Sequence, residues 1–128
     1  MSLEAARFSG LTALVVEDET IIALLIEDML KDIGFAEVGQ AGSIAQAIAA
    51  LERTRPDIAI LDVNLAGVPA YPVAERLQAA DIPFIFASGY STAGIAAPWS
   101  RCSVLKKPFQ ADKLAEAIGV CLRSAKRE

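Results

Sequence analysis

Three apolar runs in this sequence each stop abruptly at polar groups, and no other feature restricts the fold as strongly. Thr12–Val16 (TALVV) stops at Glu17, Asp18 and Glu19, Ile58–Leu61 (IAIL) stops at Asp62, and Ile82–Ala87 (IPFIFA) stops at Ser88. Short uncharged runs rich in β-branched residues read as strands buried on both faces, the pattern of a parallel sheet covered by helices. Strand ends of that kind border the crevice where open α/β sheets bind their ligands.

Helical spacing fills the intervals. Ile22, Leu25, Ile26, Met29, Leu30 and Ile33 recur on one face until Gly34 supplies a stop. Ser43 caps a helix with Ile44, Ala47, Ile48 and Leu51 on its apolar face, and Arg55-Pro56 closes it. Pro72, tolerated in a first turn, opens a third helix, and Leu114, Ala117, Ile118, Cys121 and Leu122 stripe the last. Phe35–Gly39 and Ser103–Leu105 are the remaining strand candidates, the stretch LAGVPAYP reads as a loop, and Ser91 to Trp99, with Gly94 and Pro98, offers only a weak helix. Strands alternating with helices over short connections demand parallel pairing and right-handed crossovers. The expected fold is therefore α/β, a flavodoxin-like doubly wound five-stranded parallel sheet in the order 2-1-3-4-5 with helices on both faces. Its switch point falls between strands one and three, which end in Glu17-Asp18 and Asp62.

Composition bounds the rest. A chain of 128 residues with 54% hydrophobic and 22% charged residues suffices for one packed core, predicted over residues 11–125 after a weakly patterned N-terminal extension, 1–10. A net charge of -4 argues against direct binding to nucleic acid or an anionic membrane, and the basic residues Arg123, Lys126 and Arg127 suit a helix C-terminus. No apolar run approaches the ~20 residues of a membrane span and no signal peptide is evident, so a cytoplasmic location is expected. Cys102 and Cys121 lack metal-ligand spacing and read as small buried thiols. Histidine is absent, which removes the usual general base and the commonest zinc ligand. Chemistry must run on carboxylates, lysine, hydroxyls and a hard metal ion.

Each strand-end residue has an ordinary explanation by itself: Asp18 a loop acid, Asp62 a turn cap, Ser88 a helix N-cap, Lys107 a solvated lysine. Together they point elsewhere. Glu17, Asp18 and Asp62 at one crevice repel one another unless a cation intervenes, and an oxygen-only set suits Mg²⁺, which keeps waters and leaves room for a phosphate. Ser88 can donate to a phosphoryl oxygen and Lys107 can neutralise charge on a transferred group. Phosphoryl transfer asks mainly for such positioning and charge compensation.

The series Glu17-Asp18, Asp62-x-Asn64, Ser88 and Lys107-Pro108 resembles the CheY-like receiver domain of two-component response regulators, in order and over nearly the whole chain. The resemblance implies that Asp62 accepts a phosphoryl group from a phosphohistidine on a sensor histidine kinase or histidine phosphotransfer protein. It implies Mg²⁺ bound by Asp18, Asp62 and the Asn64 carbonyl with Glu17 helping through water, Ser88 sensing the phosphoryl group, Lys107 as the active-site lysine and a cis bond before Pro108. Such a domain assists its own phosphorylation and dephosphorylation without independent substrate turnover. It departs from most receivers at Val104, where an aromatic switch residue is usual and valine cannot make that swing. Phe86 to Tyr90 resembles instead a Phe-Ala-Thr-Gly-Tyr motif subgroup, so that Tyr90 and the segment to Trp99 form the moving element; the plainer reading has Tyr90 capping the core. The resemblance also implies a downstream protein partner and leaves room for a weak dimer. It places the output contact on helix four, strand five and helix five, with Ile95, Ala96, Ala97 and Trp99. The domain then either stands alone or is one piece of a longer regulator.

Two other functions fit less well. An aspartyl-phosphate phosphatase of haloacid-dehalogenase type would carry a second Asp where Asn64 stands. A docking module indifferent to phosphorylation gives no reason to crowd three mutually repelling acids.

Overall fold

The computed structural model of the chain describes residues 8–89 and 104–126, the last three by their backbone alone. Among the described residues the elements are, in chain order, β1 Thr12–Val16, α1 Thr20–Asp32, β2 Glu37–Ala41, α2 Ile44–Arg53, β3 Ile58–Asp62, β4 Asn64–Leu65, β5 Val68–Pro69, α3 Tyr71–Ala79, β6 Phe84–Ser88, β7 Val104–Lys106 and α4 Ala111–Lys126. Five strands form one parallel sheet in the order β2-β1-β3-β6-β7, which counted among the sheet strands alone is the expected 2-1-3-4-5.

Alternation along each strand divides the core in two. Val15, Ile60 and Ile85 face Ala23, Ile26 and Leu30 of α1 and Leu114 and Ile118 of α4. Leu14, Val16, Ala59, Leu61 and Phe86 face Ala47 of α2 and Val73, Ala74 and Leu77 of α3. β3 is buried on both sides at Ile58 through Leu61, and its isoleucine and leucine side chains contribute about 2 kcal/mol of burial each, so the centre of the sheet is its firmest part. At the other extreme β2 ends the sheet, with Glu37, Gly39 and Gln40 exposed, and a groove of about 590 Å³ opens between it and the end of α2, where Gly39 brings no side chain.

Local hydrogen bonds explain the element ends. Ser43 Oγ accepts the Gln46 N–H at 3.1 Å while Gln46 Oε1 accepts the Gly42 N–H at 2.7 Å, so α2 starts where the sequence places its cap. α1 ends at Gly34, φ 115°, with the Phe35 N–H donating to the Leu30 carbonyl at 3.0 Å. This closure engages Phe35, and β2 consequently starts two residues later than the apolar pattern suggests. The same holds after α3, where the Ile82 N–H donates to the Leu77 carbonyl at 2.9 Å and β6 begins only at Phe84. The described part of the fifth sheet strand, Val104–Lys106, runs one residue past the expected end at Leu105, and Ser103 lies outside the described residues.

Two more differences have physical causes. The stretch after Asp62, expected as a loop, folds into the antiparallel β4-β5 hairpin, turned by Ala66 (φ 53°) and Gly67 (φ 87°). The extension assigned to residues 1–10 enters the core at Phe8, which is 2% exposed and stacks on Phe35 at 5.8 Å. An aromatic that removes this much area from water belongs with the packed body.

Candidate functional site

Register builds the site. Val16 lies beside Leu61 across β1 and β3, so the next residues, Glu17 and Asp62, emerge side by side at the carboxyl edge of the sheet. Asp62 pairs with Ala87 on the opposite side, and Ala87 with Leu105, which brings Ser88 and the Lys106-Lys107 step to the same edge. At the amino edge the register is pinned: Asp57 Oδ2 accepts the Thr12 N–H at 2.8 Å, and the Asp57 N–H donates to the Thr12 carbonyl at 2.9 Å.

Three carboxylates meet there. Glu17, Asp18 and Asp62 each offer an oxygen within 4.8 Å of the others. At an effective dielectric of about 20, two unit charges at that separation repel by roughly 3 kcal/mol, too much for three acids to share without a counter-charge. Lys107 supplies part of it: its Nζ contacts Glu17 Oε1 and lies 3.4 Å from Asp62 Oδ2. Glu17 is 4% exposed and its second oxygen accepts the Glu19 N–H at 3.2 Å. Asp62 Oδ1 accepts the Asn64 N–H at 3.3 Å.

The electrostatics follow from this placement. Burial is the largest influence on Asp62 and, with the neighbouring Glu17, pushes its carboxyl up to about 6 against the opposing pull of Lys107 and the Asn64 amide. Burial works to lower Lys107, but its bond to Glu17 and the charges of Asp62 and Glu17 outweigh it, and its ammonium is held above the ordinary lysine value. Among the described residues, one lysine against three acids leaves a site deficient in positive charge. The donors are all oxygens, with no imidazole or thiolate among them, and such a set fits a hard divalent cation.

The structure thus gathers Glu17, Asp18, Asp62, Asn64 and Lys107 at one edge. Ser88 ends β6 at 4% exposure, its carbonyl accepting the Lys107 N–H at 2.7 Å, and the Lys107-Pro108 bond is cis. Val104 sits opposite Phe86 and packs on the α2-α3 side of the core. Tyr90, the segment to Trp99 and Cys102 lie outside the described residues; Cys121 is half-buried with its thiol 3.6 Å from the Phe84 carbonyl. Two features were not foreseen. Of Glu17 and Asp62, Glu17 is the carboxylate nearer to Lys107, and the Asn64 side chain is engaged within the hairpin, its Oδ1 accepting the Gly67 N–H at 2.7 Å. The Asn-x-x-Gly spacing was the available signal for the second.

The response regulator receiver domain family model matches residues 13–119. The chain belongs to this family. A receiver domain is the regulator-side module of two-component signalling, and the match spans every element that shapes the site. The chain is 31% identical over 114 residues to the chemotaxis protein CheY of Bacillus subtilis, covering 85% of this chain and 95% of that one. It is 28% identical over 109 residues to the transcriptional regulatory protein PdtaR of Mycobacterium tuberculosis, covering 82% of this chain and 53% of that protein, so the receiver spans about half of PdtaR. Among solved structures it is similar to SdrG from Sphingomonas melonis Fr1, with a TM-score of 0.79, 42% identity and coverage of 88% and 97% of the two chains. A structure described as the BeF3-activated conformation of SdrG gives a TM-score of 0.77 at 43% identity, covering 89% and 98%. Among the described residues no helix is long and apolar enough to cross a membrane.

Proposed function

We propose that Asp62 is the phosphoacceptor of this receiver. An Asp62 carboxylate oxygen attacks the phosphorus of a phosphohistidine; the new O–P bond forms as the P–N bond breaks, and the imidazole leaves with the electron pair. The observation that carries this reading is the register that sets Asp62 beside Glu17 and Asp18 within reach of Lys107. Asp18, Asp62 and the Asn64 carbonyl would hold Mg²⁺, with Glu17 contributing through water, and the ion would neutralise charge on the transferred oxygens. Ser88 would donate to one of those oxygens and Lys107 would pair with another. The added phosphoryl charge then biases the surface seen by a downstream protein partner. The BeF3-activated structure of SdrG supports the reading, since that relative is described in a form activated by this anion.

The donor is a sensor histidine kinase or histidine phosphotransfer protein, working with this domain in the cytoplasm. It must approach the crevice edge, and the first turns of α1 beside it present Ile21, Leu24 and Leu25 at 76%, 50% and 53% exposure. A docking partner at this edge would cover these open apolar side chains. The deciding experiment is incubation with acetyl phosphate and Mg²⁺ followed by intact mass measurement. One phosphoryl mass is gained by the wild type and lost in Asp62→Asn; absence of labelling from both acetyl phosphate and a cognate kinase would refute the assignment.

A further inference from the structure

We infer that Glu17 is a positioning residue for Lys107, holding the ammonium beside Asp62 instead of on it; this rests on the reading of Asp62 as phosphoacceptor. Both oxygens of the buried Glu17 carboxylate are engaged by groups of this chain. Oε2 accepts the Glu19 N–H at 3.2 Å and Oε1 meets Lys107 Nζ. Lys107 is left 3.4 Å from Asp62 Oδ2, longer than the ~2.7–2.9 Å of a charge-assisted hydrogen bond. Exposure ranks the two pairs in the same way, because the Glu17 side chain is 2% exposed and that of Asp62 14%. The drier pair is the less screened, so the stronger hold on the ammonium belongs to Glu17.

This arrangement affects the reaction in two ways. While Glu17 holds the ammonium, Asp62 Oδ2 keeps only a long, 3.4 Å ion pair with it, so less must be displaced for this oxygen to reach an incoming phosphorus atom. After transfer, the lysine needs only a short movement to reach the new phosphoryl oxygens. Without the Glu17 charge, Lys107 would turn to Asp62 and cover the oxygen that must attack. Glu17 therefore acts on the reaction through Lys107, and a glutamate at this position has the reach to meet both the Glu19 amide and the ammonium.

A double-substitution cycle tests the claim. Wild type, Glu17→Gln, Lys107→Ala and the double variant are labelled with acetyl phosphate at saturating Mg²⁺, which removes any difference in cation affinity from the comparison. The expected result is that Glu17→Gln slows the saturating rate by about tenfold in the wild-type background and by less than about twofold in the Lys107→Ala background, a coupling typical of residues in contact. If Glu17 served only the cation through water, the substitution would raise the Mg²⁺ concentration needed for half-maximal labelling, leave the saturating rate unchanged, and act equally in both backgrounds. That outcome overturns the inference. Urea denaturation of the same four proteins, without Mg²⁺ or phosphoryl donor, reads the pair independently. Lys107→Ala should shift the midpoint by a different amount in the Glu17→Gln background, where the lysine pairs with Asp62 alone, than when Glu17 is present; strictly additive shifts overturn the inference. If the wild type gains no phosphoryl mass, the functional reading fails, and the denaturation cycle still decides whether Glu17 holds Lys107.

Discussion

Asp62 carries opposing demands, since a nucleophile must be anionic while its burial beside Glu17 pushes its carboxyl up to about 6 from 3.8. The protonated form is thus the one the fold prefers. The stability this confers is fully present below about pH 4 and is lost as pH rises to about 6, by at most roughly 3 kcal/mol at about 1.4 kcal/mol per pKa unit, and by less to the extent that water screens this half-buried group. In the presence of a chelator, Asp62→Asn should therefore gain stability over the wild type between pH 4 and 6 and keep that advantage at pH 7, as urea denaturation would show. A cation that binds only the folded site works in the other direction. Mg²⁺ at ten times its dissociation constant should stabilise the wild type by about 1.4 kcal/mol, and Asp18→Asn should lose most of that gain.

At the scale of elements, two non-glycine residues sit where glycine is usual. Ala66 (φ 53°) turns the hairpin behind Asp62, and Asp81 (φ 58°) closes α3. Ala66→Gly should raise thermal stability by about 0.5–1 kcal/mol, because the left-handed conformation costs alanine more than glycine loses in chain entropy. Ser43→Ala should cost about 1 kcal/mol through loss of the α2 cap, seen as a lower urea midpoint with unchanged slope. The helices and the first strand were legible in the sequence because periodicity and Ser43 are local signals. The onsets of β2 and β6 were not, since helix-closing hydrogen bonds reach into Phe35 and Ile82, apolar residues that look like the first residues of strands. The hairpin was missed for a related reason: its turn uses Ala66 where Asn or Gly would announce one.

For the whole molecule, the strand ends carried their message well, because a parallel sheet places every carboxyl end on one edge whatever the details of packing. Glu17, Asp18, Asp62 and Lys107 could therefore be grouped before any coordinates. Their pairing could not, because whether Lys107 meets Glu17 or Asp62 depends on differences of about an ångström that no spacing encodes. The same sheet has a second edge with the opposite character. β2 is only five residues long, and its exposed positions are a glutamate, a glutamine and a glycine. A foreign chain trying to extend the ladder there would meet charge and a vacant groove instead of a greasy ribbon, which protects a chain with 54% hydrophobic residues against stacking on its own copies. Combining Glu37→Val with Gln40→Ile would remove that protection, and the resulting protein should form thioflavin-positive fibrils at concentrations where the native sequence stays clear.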